Sequence, residues 1–355
     1  MGQSTSKPLR VIHVGTGPTG VEGLRTIIAN PALELVGHFA VSPEKIGKDS
    51  GVLAGGAPIG VTATDNWDAL LDLKADCLAY LGNGAGREDE VVEECCKFLE
   101  RGTSVVSTSL IPLVHPATAP AAMCEKLEEA CKKGGSAFLN SGIDPGFATT
   151  HLPVALSSIA GPIRQIRMLE ISIYGDYPVV PIMRDIFGFG RPLDYERPMF
   201  QGGVMHWWEG TVRTVAESLD ITLDEVRPVY QVFAHDSDIE TTFGEVPAGT
   251  TACVHFRVEG LVGGTPVVVL EHVSRAAEDV APQLPQPTHR VDHQYRVEIE
   301  GTPNFNCIID MPEVDMGLKF TANHAVNAIP DVCAYKPGII GPFDLPAYHG
   351  PVVRS

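Results

Sequence analysis

The hexapeptide Gly15-Thr16-Gly17-Pro18-Thr19-Gly20 follows the apolar run LRVIHV and opens a segment with apolar residues at helical spacing. In such a G-x-G-x-x-G turn the first glycine permits the tight bend and the second lets the backbone approach a pyrophosphate. The third lets helix and strand pack closely, with the phosphate resting on the helix N-terminus. A strand before the motif and a helix after it favour a dinucleotide site over a ligand-free glycine turn. An NAD-preferring fold places an acid about 20 residues farther on, for the ribose 2′-hydroxyl. Here that stretch reads GHFAVSPEKIGK, with Ala40, Val41 and Ser42 where the acid would stand. No carboxylate repels a 2′-phosphate, Ser42 can donate to one, and Lys45 and Lys48 can supply charge. NADP is therefore the expected cofactor, with NAD possible; the plain alternative makes both lysines solvated loop residues. Gly82-Asn83-Gly84, ending a third strand, permits close backbone approach to the cofactor, and Ser107 and Thr108 end a fourth strand at the same mouth.

Hydride transfer needs no protein nucleophile, because the cofactor carries the reactive hydrogen. The protein must orient a C=O or C=N bond and supply or stabilise a proton. Candidates for that work are Asp144, Ser109, His115 and Asn140, with Glu170, Tyr174, Tyr177 and His206 from the middle of the chain. Each has a plain structural alternative. Asp144 can cap the segment from Phe147, His115 can be a satisfied loop histidine, Glu170 can point outward from a strand, and Tyr174 and Tyr177 can support a turn. Phe147, Tyr174, Met183, Trp207 and Trp208 are expected to line an apolar substrate pocket, the alternative being core or interface packing. Arg184 and Arg191 are the arginines available for a carboxylate. No metal site is expected: the eight cysteines form no C-x-x-C pair and read as buried thiols of a cytoplasmic protein.

The elements that must position these residues divide the chain. Over the first 150 residues, strands and helices alternate: Leu9–Val14, Pro18–Asn30, Leu33–Val41, Asp76–Leu81, Glu88–Arg101, Ser104–Thr108, Pro120–Lys133 and Ser136–Asn140. That rhythm predicts an α/β doubly wound parallel sheet, a Rossmann domain over residues 1–150. Residues 151–320 carry longer strand-like runs, with a hairpin at Val262-Gly263-Gly264, an irregular stretch over about 175–210, and a helix near Glu209–Leu219. They predict an α+β, mostly antiparallel substrate or dimerisation domain. The net charge of −18 argues against nucleic acid or an anionic membrane as partner. No run reaches the roughly 20 apolar residues of a membrane span. MGQSTS fits the loose N-myristoylation pattern through Gly2 and Ser6, but no polybasic patch follows, and a plain polar terminus is the simpler reading.

GTGPTG, VGHF with SPEKIGKDSG, VVSTS, NSGIDPGF and the tail VNAIP, PGI, DLP together resemble the dihydrodipicolinate reductase-like superfamily, in its 2,4-diaminopentanoate dehydrogenase branch with the native amine dehydrogenases. The resemblance implies a homodimeric NAD(P)-dependent enzyme that aminates a ketone or aldehyde with ammonia, or runs in reverse. It also implies that residues 321–355 pack back on the Rossmann domain. Members with amine chemistry carry glutamate just after the fourth strand, where this chain has Ser109, Leu110 and Ile111, and Asp144 stands where Asn is usual. The expected function is amine dehydrogenation on a small hydrophobic carbonyl or amine with ammonia. A carbonyl or imine reductase that takes no ammonia, and a non-catalytic NADP(H)-binding sensor, are the alternatives.

Overall fold

The computed structural model describes residues 7–177, 179–289, 291–313 and 315–352, so the Gly2 and Ser6 pattern lies outside the described residues. The chain divides into two compact units, one of Met1–Ile143 with Leu318–Ser355 and one of Asp144–Gly317.

In the first unit, β1 (Leu9–Val14), β2 (Leu33–Phe39), β3 (Ala63–Thr64), β4 (Cys77–Tyr80), β5 (Ser104–Ser107), β6 (Ala137–Asn140) and β13 (Gly338–Ile339) form one sheet in the order β13-β6-β5-β4-β1-β2-β3. Every pairing in it is parallel. The short strands β4, β5 and β6 are buried at every position, as expected where helices cover both faces of a parallel sheet. The helix Pro18–Ala29 starts with a proline whose fixed φ suits the first turn, and it buries Gly20, Gly23, Leu24 and Ile27. The helix Glu88–Leu99 has three acids in its first turn and Lys97 in its last, matching the helix dipole. The helix Ala121–Gly134 stops at Gly135, whose φ of 71° is the left-handed conformation favouring glycine. The C-terminal segment supplies Ala322, Val326, Ile329 and Val332 to the core around Val11, Leu24 and Leu139, and its β13 pairs with β6.

The second unit is built on a six-stranded sheet of β7 (Ile163–Ile173), β8 (Glu225–Ala234), β9 (Thr251–Val262), β10 (Thr265–Arg275), β11 (His293–Gly301) and β12 (Phe305–Met311), in the order β12-β11-β7-β10-β9-β8. All pairings are antiparallel except β7 with β10. Gly263 and Gly264, with φ of 57° and 77°, make the two-residue turn between β9 and β10. Two elements differ from the sequence expectation. The helix near residue 209 begins earlier, spanning Gly203–Ser218, so Met205 to Glu209 are helical. No side chain caps its start, which is set by Gly202 at φ 105°, so the usual sequence signal is missing. The helix expected from Phe147 forms but winds differently at its start, a π-helical stretch, Phe147–His151, running directly into the α-helix Leu152–Ser157.

Phe138 is fully buried on β6 within an apolar core cluster of the first unit. Phe138→Ala is expected to cost about 3–5 kcal/mol, read as a lower urea midpoint with an unchanged slope.

Candidate functional site

In the first unit the glycine motif is held from both sides. Gly15 has φ 123°, and a Cβ there would lie 2.6 Å from the carbonyl oxygen of Leu81. A Cβ on Gly20 would lie 2.5 Å from the carbonyl carbon of Gly15. These two glycines are demanded by the protein's own packing. Gly17 is not: a Cβ there meets nothing within 4 Å, although the residue caps the helix that Pro18 opens. A side chain at Gly17 would intrude only on what binds against the helix start, so the loop fits a phosphate cradle. The Lys45 ammonium donates to the Thr16 carbonyl at 2.6 Å, bringing one of the two expected cations onto the loop. Ser42 is half-buried and Lys48 exposed nearby in sequence. Beneath the loop, His38 contacts the Gly15 carbonyl through Nε2 at 3.3 Å and the Ser50 hydroxyl through Nδ1 at 3.0 Å. Burial holds its pKa below the usual histidine range.

The turns after β4 and β5 interlock. Ser109 donates from Oγ to the Gly82 carbonyl at 2.7 Å, and the Ser107 hydroxyl accepts from the Ser109 amide at 3.0 Å. Asn83 caps its own turn by accepting from the Ala85 amide at 3.3 Å, and the backbone of Ser109 abuts Gly84 closely enough to exclude a Cβ there. The Thr108 amide donates to the Tyr80 carbonyl. Asn140 accepts from the Leu110 amide at 2.9 Å, and His115 contacts the Thr118 hydroxyl at 2.8 Å through Nδ1. Three of the four expected proton donors, Ser109, Asn140 and His115, thus make local bonds that shape this turn.

The fourth, Asp144, belongs to a different construction in the second unit. Its Oδ1 accepts from the Trp208 indole at 3.1 Å and from the Thr149 hydroxyl at 3.2 Å. Its Oδ2 lies 2.8 Å from His272 Nε2, off the direction of a well-aligned hydrogen bond. On the far side of the imidazole, Nδ1 is 3.9 Å from Glu170 Oε1. Glu170 accepts from the Tyr174 hydroxyl at 2.6 Å and from the Tyr295 hydroxyl at 2.9 Å. The side chains of Asp144, His272 and Glu170 are only 1%, 5% and 11% exposed, so their charges interact in a poorly hydrated space.

Strand register explains how they meet. Glu170 on β7 stands opposite His272 on β10 and Tyr295 on β11, so all three share one face of the sheet. One step along, Ser172 stands opposite Ser274 and His293. Glu170 therefore points inward, contrary to the outward position its place between Leu169 and Ile171 suggests. The Phe256 ring stacks on His272 at 4.6 Å and the Trp208 ring lies 4.9 Å away, an aromatic setting that suits a cationic imidazole. Burial alone would lower the His272 pKa, but Asp144 and Glu170 outweigh it and hold the ring above the usual histidine range. Burial and Glu170 together keep Tyr174 and Tyr295 protonated, so both remain donors. Asp144, Glu170 and His272 offer ligand-type atoms all within 4.8 Å of one another, so the same three groups could hold a cation or share a proton.

The remaining substrate-lining expectations separate. Trp208 and Tyr174 belong to the cluster. Trp207 meets the edge of Trp208 at 5.7 Å, and Phe147 is 38% exposed. Met183 is 1% exposed within the apolar core cluster that also holds Phe187 and Phe189. Arg184 is occupied by the carbonyls of Phe243, Phe189 and Glu245. His272, His293, Tyr295 and Ser274 escaped the sequence reading. Their signal was present as polar residues two apart within apolar strands: Glu170 and Ser172, His272 and Ser274, His293 and Tyr295.

Two outcomes follow from this geometry. Gly17→Ala, where a Cβ meets nothing within 4 Å, should keep the protein folded but weaken dinucleotide binding at least about tenfold, roughly 1.4 kcal/mol, in a fluorescence titration. For His272 the folded pKa is raised, so its contribution to stability is complete below the unfolded value of about 6.5 and is lost as pH rises through the folded value. The melting-temperature gap between wild type and His272→Gln should accordingly be widest on the acid side of neutrality and shrink as pH increases.

Residues 154–353 match the model of the 2,4-diaminopentanoate dehydrogenase C-terminal domain. An amine dehydrogenase of Streptomyces virginiae is 33% identical over 340 residues, covering 94% of each chain. A 2,4-diaminopentanoate dehydrogenase of Acetoanaerobium sticklandii is 22% identical over 255 residues, 70% of this chain and 69% of that one. The solved structure of an amine dehydrogenase from Mycobacterium smegmatis superposes with a TM-score of 0.76 at 19% identity, covering 98% of both chains, and shows the shared fold. With the glycine loop on its parallel sheet and the match over nearly its full length, the chain belongs to the family of 2,4-diaminopentanoate dehydrogenases and amine dehydrogenases, oxidoreductases acting on CH–NH2 donors.

Proposed function

We propose that this protein is an NADP-dependent amine dehydrogenase that interconverts a hydrophobic primary amine with its ketone or aldehyde and ammonia. The observation that carries the cofactor half is the loop at Gly17, open where a phosphate would lie, with Lys45 drawn onto Thr16. The absence of an acid after β2 supports NADP over NAD, since nothing at Ala40, Val41 or Ser42 would repel a 2′-phosphate. The nicotinamide supplies or accepts the hydride. The chain's own residues orient the carbon–nitrogen bond, exclude water and move protons. Apolar and aromatic side chains around Trp207, Trp208 and Tyr174 favour a hydrophobic substrate, and among the described residues Arg184 is taken up by backbone carbonyls and Arg191 by Asp185. The family resemblance supports a homodimer. Among the described residues no helix is long and apolar enough to cross a membrane.

A second reading has one observation in its favour. The turn after β5 carries Ser109, Leu110 and Ile111, with no carboxylate to engage ammonia, which suits a carbonyl or imine reductase. Oxidation of NADPH by a panel of aliphatic ketones and aldehydes separates the two. The amine dehydrogenase reading predicts turnover that needs ammonium and yields the amine. Equal rates without ammonium and an alcohol product would select the reductase, and tight NADPH binding without any turnover would select a sensor. Lys45→Ala should raise the Kd for NADPH by about three- to tenfold while moving that for NADH less, the difference being the lost charge near the 2′-phosphate.

A further inference from the structure

We propose that Asp144, Glu170 and His272 form the site that holds the nitrogen of the substrate as a primary alkylammonium and takes up its proton. The proposal rests on the reading of the chain as an amine oxidoreductase.

Charge is the first support. With both carboxyls ionised and the imidazole protonated, the buried cluster carries one net negative charge, and a bound monocation would neutralise it. Geometry is the second. Thr149 and Trp208 fix Asp144 from one side, while Tyr174 and Tyr295 fix Glu170 from the other, so the oxygens are held before any ligand arrives. The third support is independent of the acids. In the next row of the same face, Ser274 Oγ and His293 Nε2 have no hydrogen-bond partner among the described residues, although their residues are only 1% and 3% exposed. Buried polar atoms left unmet are costly, and an ammonium with three N–H donors would engage such acceptors. His293 is held neutral, its pKa lowered by burial, so its ring can offer an acceptor nitrogen.

A divalent metal fits these atoms less well than a proton and an ammonium. Asp144 Oδ2 and His272 Nε2 are 2.8 Å apart, closer than two ligands around one metal ion with bonds of about 2.0–2.2 Å at tetrahedral angles. Both oxygens of Glu170 already accept tyrosine protons, and the imidazole would have to lose its own.

In the oxidative direction the alkylammonium would first give one proton to a carboxylate oxygen of the cluster, Asp144 Oδ2 being buried without a hydrogen-bond partner among the described residues. The C–H bond would then break with its electron pair leaving as hydride, which a bound NAD(P)+ would accept, and the nitrogen lone pair would form the C=N bond of an iminium ion. Water would add to that carbon with loss of one proton. The cluster would return its proton to the nitrogen, and the C–N bond would break as the hydroxyl proton passes to the departing nitrogen, leaving C=O and ammonium. The sum is alkylammonium, NAD(P)+ and water giving carbonyl, ammonium, NAD(P)H and one proton, balanced in atoms and charge.

The test compares binding of hexylammonium and of hexan-1-ol to the NADPH-loaded protein by calorimetry, beside amine turnover, for wild type, Asp144→Asn, Glu170→Gln and Ser274→Ala. The proposal expects each carboxamide variant to lose at least about tenfold in hexylammonium affinity, about 1.4 kcal/mol, with hexanol and NADPH affinities unchanged. Ser274→Ala, the mildest change and the safeguard against misfolding, should weaken hexylammonium roughly two- to tenfold, the worth of one hydrogen bond. Unchanged hexylammonium affinity in all three folded variants, with wild type active on amines, would overturn the proposal and leave the amine dehydrogenase reading intact. Hexylammonium binding that depends on these residues in a protein without amine turnover would instead sink that reading and keep the cation site. Stoichiometric zinc whose removal abolishes hexylammonium binding would replace the proposal with a metal centre.

Discussion

A buried histidine flanked by two buried carboxylates is the constraint on which the second unit turns. Removing any one charge from water is costly, and the three together are tolerable only when each finds donors or an opposite charge. The sheet and its covering elements supply both. Tyr174 and Tyr295 donate to Glu170, Thr149 and Trp208 donate to Asp144, and Phe256 offers its ring to His272. Strand register makes this possible: Glu170, His272 and Tyr295 stand in one row across three strands because β7 runs parallel to β10 and antiparallel to β11. A slip of one residue in either pairing would turn its members to the opposite face and leave a bare charge behind.

The first unit obeys a different constraint, the close approach of backbone to backbone. Gly15 and Gly20 are glycines because Leu81 and Gly15 itself leave no room for a Cβ. Gly17 alone is free of that pressure, and it is the glycine nearest to where a phosphate would rest. The turn after β5 follows the same logic. Its hydroxyls and Asn140 bind backbone groups, which holds the turn in place.

The fold of the first unit was legible in the sequence because local signals agreed. Apolar runs, the glycine motif, Pro18 at a helix start and Gly135 after a helix end all point the same way. The second unit was legible only in outline. β8 and β12 are edge strands with mixed burial, and β8 holds Pro228, so their alternation is blurred. Asp144 was readable as a candidate, but its partners were not. His272 lies more than a hundred residues away in sequence, and only long-range register joins them. Glu170 looked outward because its two neighbours are apolar. Pairing showed that the polar positions of three strands face each other inside the unit, which no single strand reveals.

The central claim is that Asp144, Glu170 and His272 act as one coupled charge cluster, in which the two carboxylates hold the imidazole above the ordinary histidine range. Titration of the histidine ring nitrogens by NMR, with His272 assigned through His272→Gln, tests it most directly. The account predicts that His272 titrates above the ordinary histidine value of about 6.5, falling toward or below it in Asp144→Asn. A His272 ring that titrates at or below that value in the wild-type protein, or is unmoved by Asp144→Asn, would contradict it.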